Sequence, residues 1–342
     1  MQKLYSIKKQ YIFILFLLFF YISFMIYRYS LGYLTPDEKL FISGRIFSEL
    51  QFSNAAFKYK VVSKIFQPLY NINIYLLPIM NIIINIVLFK FLYKKYRDSI
   101  IKKRYFIFLF FLMPTTIFLT VAYLRDIYVT IFLMLFIFSY TFWQKIILIV
   151  LAGILRPEMI FLLILSWSLS ILQKSKYIFI LAFVSTYIII YICIFHTEIY
   201  NIYVYHVLSL DSSKYDFGLG LLHFNISRDN AFLAIITNQI LVFFPYFTLL
   251  PSKPLEFFYF IDSILYFILI LFAIRRFSLK KFRKYQLYRL ALYFTFFGSI
   301  AIGMYQTVPS SAVRYKVLLL PFLMVLAGMI NFKNLEKLLG NK

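Results

Sequence analysis

Cysteine is almost absent from this 342-residue chain. The one thiol, Cys193, lies inside an apolar run, which excludes an intrachain disulfide framework and a cysteine-built metal site. Histidine is nearly as scarce, and His196, His206 and His223 stand ten and 17 residues apart. Those separations fit no metal-ligand spacing, so neither a metal nor another cofactor is expected. Acid is short as well, with 13 Asp and Glu against 36 Lys and Arg and a formal charge of +23. Such an excess can signal nucleic acid, but the basic residues fall in short blocks between hydrophobic runs rather than on one soluble face. No nucleic-acid partner is expected. What the chain has in abundance is apolar side chain: 63% of residues, with a mean hydropathy of +0.83. A soluble domain holds about 45–50%. The expected fold class is therefore all-α, a polytopic integral membrane protein in contact with the lipid bilayer.

A membrane-spanning helix needs about 20 mostly apolar residues. The expected spans are 11–27, 72–93, 105–123, 127–142, 146–155, 159–172, 177–195, 231–250, 256–274, 290–306 and 317–332. The first follows Lys3, Lys8 and Lys9 without a small-residue cleavage site, which reads as a retained anchor rather than a signal peptide. Basic residues mark cytoplasmic loops. The blocks 94–104, 173–176 and 275–289 all fall inside, with both termini, if 231–250 is a re-entrant or outer-surface helix rather than a crossing. Pro245, Pro251 and Pro254 favour that arrangement. The reading is thus about 10–11 transmembrane helices, one of them re-entrant, forming a single transmembrane domain over 1–342. Its long outer loops are 28–71 and 196–255.

On this topology 23 of 36 Lys and Arg face the cytoplasm, while ten of 13 acids lie at the outer face. Asp37 and Glu38 stand in the first outer loop, with Arg45 about two helical turns on. "YLRDIY" carries Arg125 and Asp126, "GILRPEMIF" carries Arg156 and Glu158, and "TVPSSAVRYK" carries Arg314. "SRDN" adds Arg228 where the chain re-enters the membrane. Charges at membrane depth cost roughly 2.5–3.5 kcal/mol each on insertion scales, so they are usually paired or functional. Arginine's planar fork grips phosphate oxygens in two places and keeps its charge. A carboxylate beside it can accept a proton from an attacking hydroxyl. Together these residue types suit transfer from a phosphate-activated lipid.

The order of a short first span, an outer "PDE", an "MPTTIFLTVAYLRD" hairpin, an "LRPE" hairpin and a late "RYKVLLLPFLMVLAG" span resembles the polytopic polysaccharide polymerases. These are the O-antigen and capsule repeat-unit polymerases of bacterial envelopes; a more distant likeness is to the GT-C glycosyltransferases that use polyprenyl-linked sugars. The resemblance implies a glycosyltransferase joining polyprenyl-diphosphate-linked oligosaccharide units at the outer face of the cytoplasmic (inner) membrane. It implies Asp37 and Glu38 as the catalytic acids, and Arg125, Arg156 and Arg314 as the groups that handle the lipid diphosphate. Arg45, Asp126, Glu158 and Arg228 complete the expected substrate site, and a chain-length regulator is a further expected partner. Of the two acids, Asp37 is expected to be the base, with Glu38 supporting a helix start or pairing with Arg45. Transfer of single sugars from polyprenyl phosphate and transport of a lipid-linked oligosaccharide remain as alternatives.

Overall fold

The computed structural model describes residues 2–32, 38, 55–96, 105–139, 141–172, 176–195, 232, 236, 239, 254–305 and 315–329. All regular structure among them is helical. The chain divides into two compact units, Met1–Pro157 and Glu158–Lys342.

The first unit begins with α1 (Gln2–Ser30). Its buried positions Ile14, Leu17, Tyr21 and Met25 recur every three or four residues, one stripe of a 3.6-residue helix. Tyr11, Ile12, Leu15, Phe19 and Ile26 lie on the exposed remainder. The stretch Tyr11–Ser30 is long and apolar enough to cross a membrane, at about 30 Å for its 20 residues. Gly32 ends the helix in the left-handed region at φ 62°, its N–H bonded to the Tyr29 carbonyl at 3.1 Å. Helix α2 (Ala55–Ile72) then packs on α3 (Leu76–Tyr96). Within α3 the stretch Leu76–Tyr93 is also long and apolar enough to cross a membrane.

The expected continuous span 105–123 is broken into α4 (Tyr105–Leu112) and α5 (Pro114–Val121). The cause is Pro114, which has no N–H to donate and holds Met113 in an extended conformation at φ −59°, ψ 129°. All eight residues of α5 are buried, and it packs against α1, α3, α4 and the following α6 (Asp126–Phe138). Its contacts are polar as well as apolar. Asn85 of α3 donates to the Thr120 hydroxyl at 2.8 Å, and Thr120 donates to the Thr116 carbonyl at 2.7 Å. Tyr128 of α6 donates to the Asn81 side-chain oxygen. α7 (Phe142–Leu155) starts four residues before the expected 146–155, because Thr141 and Gln144 form a capping box. It returns along α6.

The second unit holds α8 (Pro157–Leu172), α9 (Lys176–Phe195), α10 (Pro254–Arg275), α11 (Leu279–Lys284), α12 (Gln286–Tyr305), a 3₁₀ turn (Val317–Leu319) and α13 (Leu320–Leu326). α13 is wholly buried and packs on α10 and α12, with Phe294 and Phe322 stacked at 4.1 Å between ring centres. The expected last span 317–332 is shorter as a helix, because Gly328 turns the chain at φ 72°.

Candidate functional site

Among the described residues of the first unit, buried charge gathers at the turn from Ala122 to Arg125, between α5 and α6. Ala122 leaves α5 with extended dihedrals (φ −96°, ψ 153°), and Arg125 opens α6. Backbone groups freed at a helix end need partners when buried. Here side chains from far along the chain supply them. The Tyr123 N–H donates to Glu38 Oε1 at 2.7 Å, and Glu38 Oε2 pairs with the Arg28 guanidinium. Arg28 Nη1 and the Tyr29 hydroxyl both donate to the Val121 carbonyl, at 3.4 and 2.9 Å. The Arg28 guanidinium also lies 4.7 Å from the centre of the Phe118 ring, a cation–π contact. Glu38 has no exposed surface, and both of its oxygens are engaged.

Three residues further on, the second ion pair closes. Arg156 Nε donates to Asp126 Oδ1 at 2.6 Å, and both side chains are buried. The packing of α6 on α7 carries Arg156 back to the start of α6, so two clusters that stand 30 residues apart in sequence form one. Arg125, also buried, sits on the same turn. The Tyr123 hydroxyl reaches the other way, donating to the Ile74 carbonyl at 2.9 Å, with the Asn73 carbonyl at 3.4 Å. It thereby ties the charged turn to the α2–α3 connection. That connection borders a groove of about 390 Å³ lined by Met25, Ile26, Asn73, Tyr75, Leu76 and Ile79. Tyr75 in turn packs edge-on against Tyr29 at 5.6 Å.

Of the residues expected from sequence, the structure brings Glu38, Arg125, Asp126 and Arg156 to this turn. Glu158 belongs to the second unit, in the first turn of α8. Asp37, Arg45, Arg228 and Arg314 lie outside the described residues. Arg28 went unrecognised in the sequence, although a lone cation in the last turn of a 29-residue apolar helix is where the helix dipole favours one. Lys316 was missed too. In the second unit its ammonium stands 3.2 Å from Asp262 Oδ2, donates to the Ser263 hydroxyl at 2.9 Å and lies 4.8 Å from the Tyr266 ring centre. The signal was Asp262 itself, an acid inside an apolar helix that requires a partner. Among the described residues no group of His, Cys, Asp and Glu is placed to hold a metal ion.

Compared with protein families, curated proteins and solved structures, the chain finds no match.

Proposed function

We propose that this protein is a polytopic membrane glycosyltransferase that polymerises polyprenyl-diphosphate-linked oligosaccharide units at the outer face of the cytoplasmic membrane. The observation that carries the reading is the gathering of Arg28, Glu38, Arg125, Asp126 and Arg156 around one turn, next to an apolar groove. Membrane insertion is supported by the two helices of sufficient length and by the exposed apolar faces of α1 and α9, such as Ile180, Leu181, Val184, Ile188 and Ile192. Faces of that extent are rare on soluble monomers. The groove offers room for the isoprenoid chain, and its Asn73–Tyr75 border adjoins the charged turn.

In the reaction, a sugar hydroxyl of one unit attacks the anomeric carbon of the other. Its proton passes to the Asp37 carboxylate as the new glycosidic bond forms. The bond from the anomeric carbon to the diphosphate oxygen breaks, and polyprenyl diphosphate leaves. Arg125 and Arg314 hold the leaving diphosphate as its charge grows. Arg156, held in place by Asp126, is the third cation at that diphosphate. Glu38, held by Arg28 and Tyr123, keeps the turn in place.

Purified protein in nanodiscs tests the reading. Given polyprenyl-diphosphate-linked oligosaccharide, it should yield lipid-linked glycans of two or more units and release polyprenyl diphosphate in equal amount. Transfer of one sugar at a time from polyprenyl phosphate would replace this reading with the single-sugar transferase. A transporter is the second reading, favoured by the buried Lys316–Asp262 pair, since paired charges inside apolar helices mark ion and substrate paths. Movement of intact substrate across a vesicle membrane without chain growth would favour it.

A further inference from the structure

Seven cations and no acid lie between Arg275 and Arg289, and the structure divides them into two sets. The inner set serves the fold. Arg276 Nη1 donates to the carbonyls of Ala327 at 3.0 Å and Gly328 at 3.1 Å, where α13 ends. Arg289 donates to the carbonyl of Ser170 at 2.8 Å, near the end of α8, and to those of Phe282 and Arg283 at 2.9 and 3.0 Å in α11. Lys281 donates to the Arg276 carbonyl at 3.2 Å, just past α10. The C-terminal ends of α8, α10 and α13 are thus drawn together at one end of the second unit. Each presents unpaired carbonyls and a partial negative charge that a cation offsets.

The outer set serves no such purpose. Arg275, at the end of α10, and Lys280, Arg283 and Lys284 of α11 are exposed, while Phe282 of α11 is buried. Among these cations stand exposed Ile274, Phe277 and Leu279. The apolar surface continues up α10 through Leu271, Phe272 and Ile268. A dissolved acidic partner would be matched by the cations alone and would leave those side chains wet. A bilayer with acidic headgroups covers both, the acyl region taking the α10 face and the phosphates taking the cations.

We propose that this face is a docking surface for anionic phospholipid headgroups, with Arg275, Lys280, Arg283 and Lys284 as the phosphate contacts. It rests on the membrane reading above and not on the transferase reading. Juxtamembrane cations attract anionic leaflets with an energy equivalent to about a fivefold preference each. The face therefore gathers a shell of acidic lipid at that end of the second unit, whatever the chemistry at the other sites.

The test places the full chain in nanodiscs and compares spin-labelled phosphatidylglycerol with spin-labelled phosphatidylcholine at the protein boundary. Wild-type protein should select phosphatidylglycerol, and the selection should fall as sodium chloride is raised, because exposed charges are screened. The Lys280→Gln, Arg283→Gln, Lys284→Gln triple variant changes exposed side chains only and should lose about fivefold or more of that selection. The charge-keeping triple Lys280→Arg, Arg283→Lys, Lys284→Arg should retain it. Equal boundary occupancy of the two lipids in wild type, selection indifferent to salt, or a glutamine triple that selects as wild type does would each overturn the proposal. If the glutamine triple is not made in folded form, the wild-type salt series decides by itself. A protein that stays in solution and never enters the discs would overturn the membrane reading and this proposal with it.

Discussion

A carboxylate whose two oxygens are already engaged by the protein is not placed to meet a substrate hydroxyl. Glu38 is in that position, with Arg28 on one oxygen and the Tyr123 N–H on the other. In the reaction proposed above the base is therefore its neighbour Asp37, and Glu38 is given the part of holding the turn. The same physics governs Asp126 and Arg156. A buried pair gains little over two apolar residues, but losing one partner strands a charge, at about 3–5 kcal/mol. Asp126→Asn or Arg156→Gln alone should lower unfolding stability by that order. Asp126→Asn with Arg156→Gln together should cost less than the two single costs summed. Denaturant unfolding in detergent checks this through a double-mutant cycle. Costs that simply add would mean that the two side chains are not coupled.

Among the helices, the sequence was most legible where apolar length alone decides. The runs 11–27, 72–93, 177–195 and 256–274 each fall within or largely over a helix. It was least legible where one residue interrupts a run. The span 105–123 reads as continuous by hydropathy, yet Pro114 divides it into α4 and α5, and α5 ends at Val121 before the turn that carries Tyr123 and Arg125. The Thr141–Gln144 capping box was also readable in principle, and it starts five residues upstream of where the apolar count began. The pairing of Arg28 with Glu38 depends on how Gly32 ends α1, and that of Arg156 with Asp126 on how α7 returns along α6. Neither follows from local pattern. Gly328 shows how narrow such positions are. A side chain there would meet left-handed strain at φ 72° and stand 3.0 Å from the Arg276 guanidinium. Gly328→Ala should cost about 1–2 kcal/mol from the backbone alone. Thermal unfolding should register that loss, and an unchanged midpoint would show that the α13 end relaxes freely.

At the scale of the whole molecule, the described ion pairs stand in separate units. Arg28–Glu38 and Asp126–Arg156 brace the first, while Lys316–Asp262 lies in the second. The central claim is that the first unit positions a transfer reaction in which Asp37 takes the proton and Glu38 holds the turn. An amide keeps the shape of a carboxylate but cannot accept that proton, so the two neighbours should respond differently to the same chemical change. The most direct measurement is the rate of glycan lengthening by Asp37→Asn and Glu38→Gln in nanodiscs, beside their unfolding midpoints. The account predicts that Asp37→Asn loses turnover by about 100-fold or more with its midpoint kept. It predicts that Glu38→Gln lowers the midpoint, with activity falling only as the folded fraction falls. Full activity in Asp37→Asn, or loss confined to a Glu38→Gln protein of wild-type stability, would contradict it.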